Sequence, residues 1–166
     1  MSDAVDVVIA SWSAERPDLD FWPVGVVGRI QRLARLLDRA IQEFSAAHGL
    51  EQGEVDVLMT LRRAGAPYEL SASALLKAAM VTSGAITNRV DRMERKDLVE
   101  RIPDPHDRRS IRVRLTTHGR DLVDDLIGKH LANEARLLQG LPRARADKLA
   151  NLMRELLESL GDTSLS

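Results

Sequence analysis

Apolar residues recur along most of this chain at helical spacing, and one stretch past the middle switches to alternation. Val5, Val8, Ile9 and Trp12 predict a short amphipathic helix over residues 3–14, closed by Arg16-Pro17-Asp18. Asp20 and Pro23 mark the next helix start. Its stripe of Val26/Val27, Ile30, Leu33/Ala34, Leu37, Ala40/Ile41 and Phe44 runs to about His48, and Gly49 suits the left-handed position that ends a helix. Val55, Leu58, Met59 and Leu61 predict a third helix over residues 52–63, ended by Gly65-Ala66-Pro67. Ser71 caps a further helix whose Leu75, Leu76 and Ala79 face inward, and Thr82 or Ser83 caps the one after it, buried through Val90, Met93 and Leu98. Residues 99–102 and 111–115 then read as two strands, with Ile111, Val113 and Leu115 alternating against Arg112 and Arg114. Helices resume over residues 117–139, with Leu122/Val123, Leu126/Ile127, Leu131 and Leu138 apolar. After Pro142 a last helix over residues 144–160 carries Leu149, Leu152/Met153, Leu156/Leu157 and Leu160.

This order gives a mainly α fold with a small β-wing, a winged helix-turn-helix. Thr82, Ser83, Thr87, Asn88 and Arg92 form a polar face on the second helix of the motif, and the strand-joining loop holds His106, Arg108 and Arg109. Such a helix fits a DNA major groove while an arginine-tipped hairpin reaches the adjacent backbone or minor groove. Asn88 and Arg92 have the groups to read base edges. The competing class is a helical dimerisation or scaffold module whose winged helix binds protein. Arg108 and Arg109 weigh against it, because they suit a narrow, electronegative minor groove.

The whole chain of 166 residues reads as a single domain. Residues 1–48 and 117–166 are the expected dimerisation helices, and residues 52–116 the winged lobe. The terminal stripes have little to bury against within one copy, so a two-fold homodimer is expected. Net charge is −1, but residues 82–120 hold ten Lys/Arg against six Asp/Glu while residues 1–60 hold five against ten, so the lobe assigned to DNA is the basic one. A dimer presents that patch twice, to a palindromic double-stranded operator. Cysteine is absent, which excludes disulfides and thiolate metal sites. His48, His106, His118 and His130 show no metal-ligand spacing, and P-loop, GxGxxG and GxSxG motifs are absent. Neither catalysis nor a cofactor or metal is expected. No apolar run approaches a membrane span and the first twelve residues lack a signal peptide's features, so a cytoplasmic protein without a membrane partner is expected.

The block Ser83-Gly84-Ala85-Ile86-Thr87-Asn88-Arg89 with Asp91-Arg92 and Leu98-Val99, followed by Asp104, Asp107-Arg108-Arg109, Leu115-Thr116 and Gly119, resembles the MarR family of bacterial transcription regulators. The flanking helices extend the resemblance to most of the chain. It implies a pyramidal dimer with interlaced terminal helices and two DNA-binding lobes, commonly released from DNA by a small anionic or aromatic molecule. The family's urate-responsive branch has an extra N-terminal helix bearing a tryptophan, an Asp at the start of a lobe helix and two Arg. The matching positions here are Trp12, Asp56, Arg89 and Arg101. A guanidinium can take a carboxylate or enolate bidentately and an aromatic face can stack on a planar ligand. The implied protein is a repressor released by an anion competing for those arginines.

Overall fold

The structure is a computed structural model and describes residues 2–78, 86–105 and 110–164. Among them the chain forms α1 (Ala4–Glu15), α2 (Trp22–Ala47), α3 (Gln52–Arg63), β1 (Glu69–Ser71), α4 (Ala72–Ala78), α5 (Ile86–Arg95), β2 (Val99–Pro103), β3 (Ile111–Leu115), α6 (Thr117–Leu137) and α7 (Arg143–Ser159). Two compact units divide it, Met1–Glu43 and Phe44–Ser166. Among the described residues, no helix is long and apolar enough to cross a membrane.

In the N-terminal unit, Asp3 caps α1 by accepting from the backbone N–H groups of Val5 and Asp6, while Asp6 accepts from that of Asp3. The Arg29 guanidinium of α2 donates to Asp3 at 2.8 Å and to Asp6 at 2.6 Å. These bonds hold the Asp3 carboxyl below the usual carboxylate range, the Arg29 bond contributing most. Val5 is buried between the two helices, whereas Val7 on the far side of α1 and Val8 and Trp12 near the face of Val5 stay exposed. α1 is therefore apolar on more sides than one partner helix can cover.

The second unit has a core of Val57, Leu58 and Leu61 from α3, Leu75 from α4, Val90 and Met93 from α5, Val113 and Leu115 from β3, and Val123 and Leu126 from α6. Its antiparallel sheet runs β1-β3-β2, with Glu69 opposite Arg114 and Arg101 opposite Val113. The hydrophobic pattern predicts only the β2–β3 hairpin. β1 is the addition, three residues too short and too polar to show alternation. It is tied to β3 by Glu69, whose carboxylate forms an ion pair with the Arg112 guanidinium at 3.0 Å. Ser71 also caps α4 as expected, its Oγ accepting from the Ala74 N–H. Two apolar positions differ from the sequence reading. Ile111 is half-exposed because it pairs with Pro103 at the far end of the ladder, beyond the core. Leu76 is exposed because Leu75 takes the inward direction on a helix of only two turns.

The junction after the wing explains the L-T-x-x-G run. Thr116 caps α6 by accepting from the Gly119 N–H at 2.9 Å and donates its own hydroxyl to the Asp97 carbonyl at 2.6 Å. Gly119 packs so tightly on the Leu98 carbonyl that a Cβ would collide with backbone. α2 and α5 end in the same way. At the end of α2 the Leu50 N–H reaches back to the Ser45 carbonyl, with Gly49 at φ 71°. At the end of α5 the Leu98 N–H reaches the Met93 carbonyl and the Asp97 N–H that of Glu94, with Asp97 at φ 54° in the place glycine usually takes. α3 is held to α6 by Arg62, which donates to Asp124 at 2.6 Å while its guanidinium lies over the Tyr68 ring.

Candidate nucleic-acid interface

Helix α5 carries a different chemistry on each of its four sides. Successive residues turn by about 100°, so Ile86, Val90 and Met93 share the side that enters the core. Thr87, Asp91 and Glu94 share the flank facing the wing. Arg89, Arg92 and Lys96 share the opposite flank, facing the start of α3. Asn88 and Arg95 point outward and are exposed.

The wing flank is joined by one cation. Arg101 of β2 donates to Asp91 at 2.6 Å and to Glu94, and its backbone N–H donates to Glu94 at 3.0 Å. The same guanidinium reaches the Thr87 carbonyl at 3.4 Å. Behind this contact, Arg112 of β3 bridges Asp104 at 3.1 Å and Glu69, so the root of the wing is braced across all three strands. Asp104 also closes the hairpin through its N–H to the Ser110 carbonyl.

The α3 flank reverses the signs. Glu54, in the first turn of α3, is fully buried, accepting from the Glu51 N–H at 2.9 Å and from Lys96 at 2.7 Å. Arg92 donates to Glu51 at 2.5 Å, and its Nε lies 3.8 Å from the second oxygen of Glu54. The Arg89 guanidinium rests on Gly53, where any side chain would overlap it. Each set also suits its own helix, with carboxylates at the positive N-terminus of α3 and cations at the negative C-terminus of α5.

Of the residues expected at DNA, Thr87 and Asn88 are exposed and Arg92 is bonded to Glu51. Thr82, Ser83, His106, Arg108 and Arg109 lie outside the described residues. Of those expected at an effector, Asp56, Arg89 and Arg101 belong to the second unit and Trp12 to the first, where its ring stacks on Phe21 at 5.9 Å. Asp56 sits on α3 one turn beyond Gly53, whereas Arg101 is on the opposite side of α5 from Arg89. Two residues escaped the sequence reading. Arg95 shares the outward face with Asn88, and its spacing of seven residues was the available signal. Glu54 was readable only as an ordinary member of a helix start.

The profile of the MarR family matches residues 48–110, from the end of α2 to the end of the wing loop. Over 134 residues the chain is 38% identical to the HTH-type transcriptional regulator PecS of Dickeya dadantii, covering 81% of each protein. The chain belongs to the MarR family. It is also 31% identical over 125 residues to the multiple antibiotic resistance protein MarR of Escherichia coli, covering 72% of this chain and 82% of that one. A mutant E. coli MarR in complex with operator DNA superposes with a TM-score of 0.66 at 28% identity, over 84% of this chain and 99% of the other. The fold of AbsC, a MarR family regulator from Streptomyces coelicolor, matches with a TM-score of 0.75 at 22% identity, over 86% and 96% of the two chains. This MarR family member is thus a helix-turn-helix transcription regulator with the winged fold its sequence predicts.

Proposed function

We propose that the protein is a homodimeric repressor that binds an inverted-repeat operator and is released by a small anion. The observation that carries this is the outward face of α5, exposed at Asn88 and Arg95 and braced on both flanks, in a chain related to a regulator crystallised on its operator. Asn88 and Thr87 read base edges, and Arg95 meets phosphate. Thr82 and Ser83 extend the face at the start of the helix, and His106, Arg108 and Arg109 at the wing tip reach the neighbouring groove. Residues 1–48 and 117–166 supply the dimer contacts and residues 52–116 the DNA-binding lobe. Support comes from the apolar residues left exposed on the terminal helices, Val26, Val27, Leu33 and Leu36 on α2 and Leu152, Met153 and Leu157 on α7, which buries none of its residues. The protein acts by binding rather than catalysis, and in the cytoplasm, where its DNA is.

The releasing ligand is a small planar anion held by arginine, urate being the first to try. Arg101 supports this reading: it is partly exposed and bridges β2 to two carboxylates of α5, so an anion that takes its guanidinium frees the wing flank of the helix. Asp56, Arg89 and Trp12 join the proposed set on the sequence pattern alone.

The test is fluorescence anisotropy on a duplex selected by the protein from a random pool. Asn88→Ala should narrow the preference for that duplex over random DNA, and Arg95→Ala should lower the salt dependence of both by about one counterion. Urate should weaken binding by the wild type but not by Arg101→Ala. Selection of no common sequence, or equal losses on both duplexes for Asn88→Ala, would overturn the base-reading role.

A further inference from the structure

Arg92 reads as a DNA contact in the sequence, and Lys96 is a second cation at the end of the same helix. Their surroundings give them another task. Glu54 is a fully enclosed carboxylate, and an enclosed charge is tolerated only when paired and hydrogen-bonded. Lys96 is its cationic hydrogen-bond partner at 2.7 Å, and Lys96 donates as well to the Gly49 carbonyl at 3.1 Å. Arg92 is drawn to the same place by Glu51 at 2.5 Å. Three helix ends meet there: the end of α2 at Gly49, the start of α3 at Glu51 and Glu54, and the end of α5 at Arg92 and Lys96.

Resting on the DNA-binding reading above, we infer that Glu54 is a positioning residue: with Glu51 it clasps Arg92 and Lys96, and so fixes the rotation of α5 that presents Asn88 to DNA. Turning α5 far enough to aim Arg92 outward pulls Lys96 off Glu54 and strands the buried carboxylate. The flank therefore acts as a rotational stop. Arg101 holds the opposite flank, so the helix cannot roll either way without losing an ion pair. The clasp works through Asn88 and touches no nucleotide, so its loss affects which sequence is bound more than whether DNA is bound at all. A phosphate contact behaves differently. It contributes equally on every duplex and adds to the salt dependence.

The experiment uses the full-length dimer, with anisotropy on the duplex selected by the wild type and on a random duplex, across a salt series. The variants are Glu54→Gln, which keeps the shape and removes the charge, and Lys96→Met. Each should lower affinity for the selected duplex about tenfold and for the random duplex less than about twofold, with an unchanged slope of log affinity on log salt. The double variant should be no weaker than the worse single one, because both remove the same pair. Lys96→Arg should restore most of the selectivity. If Glu54→Gln does not fold, Lys96→Met and Lys96→Arg carry the test, since the Lys96 side chain is 40% exposed. A slope that falls by about one in Lys96→Met, equal losses on both duplexes, or additive losses in the double variant would overturn the clasp while leaving the DNA-binding reading intact. A wild type that selects no duplex would overturn that reading, and the positioning role with it.

Discussion

On the α3 side of the recognition helix a buried anion is served by cations that reach it from the surface. On the wing side a partly buried cation, Arg101, is shared between carboxylates that both see solvent. The same helix is thus held by two ionic joints of opposite sign and different depth. The difference bears on what each joint can do. Glu54 is sealed in and cannot turn to water if a dissolved anion takes its cation, so exchange on that flank strands a buried charge. Arg101 is 28% exposed and its partners 48% and 32% exposed, so another anion can compete for it. One flank suits a fixed stop and the other a release point. That division matches the needs of a repressor, in which the helix must be held in register until the ligand arrives.

The two flanks should differ most in the stability of variants that each remove the cation of one flank. Lys96→Met should cost about 2–3 kcal/mol in urea unfolding, below the full penalty for stranding a buried charge because Arg92 remains nearby. Arg101→Met should cost about 1 kcal/mol or less, as partly exposed pairs do, and in half-molar salt that loss should shrink further while the Lys96 loss persists. Equal costs that respond equally to salt would erase the distinction.

The end of α5 offers a smaller test of the opposite sign. Asp97 holds a left-handed conformation at φ 54°, where Gly49 stands in the matching turn of α2. Asp97→Gly should raise stability by about 0.5–1 kcal/mol without altering either flank. A loss would show that the Asp97 side chain contributes something beyond the turn.

The smallest effect belongs to the joint at the protein surface, where Arg29 meets Asp3 and Asp6. Its contribution is fully present above the ordinary carboxylate range. It is lost as acid carries Asp3 through its depressed folded value. In acid titration, Asp3→Asn should therefore lower stability slightly at neutral pH and flatten the acid limb, the variant and the wild type converging as the pH falls. An unaltered acid limb would show that Asp3 contributes no more than its cap.

Much of this architecture is legible in the chain because local rules produce it. The helices announce themselves by apolar spacing and cap residues. Val113 and Leu115 alternate with Arg112 and Arg114 because one face of the wing is core and the other carries the ion pairs to Glu69 and Glu100. Thr116 and Gly119 are set by one turn of geometry. What stayed hidden depends on pairings distant in sequence. β1 is three residues long and exists because β3 comes to lie beside Glu69. Ile111 fits the alternation but lies where the core has ended. Glu54 looks like any glutamate at a helix start until Lys96, 42 residues later, is folded against it. Arg92 shares a sequence face with Asn88, and only the carboxylates of α3 draw it to the flank.

On the proposed reading, the outward face of α5 recognises a DNA sequence in a pose fixed by its two flanks. The most direct test is the affinity of the wild-type protein for its selected inverted repeat against a scrambled duplex of the same composition, measured across a salt series. The wild type should prefer its inverted repeat about a thousandfold or more near physiological salt, with affinity for both duplexes falling steeply as salt rises. Equal affinity for the two duplexes at every salt concentration would contradict it.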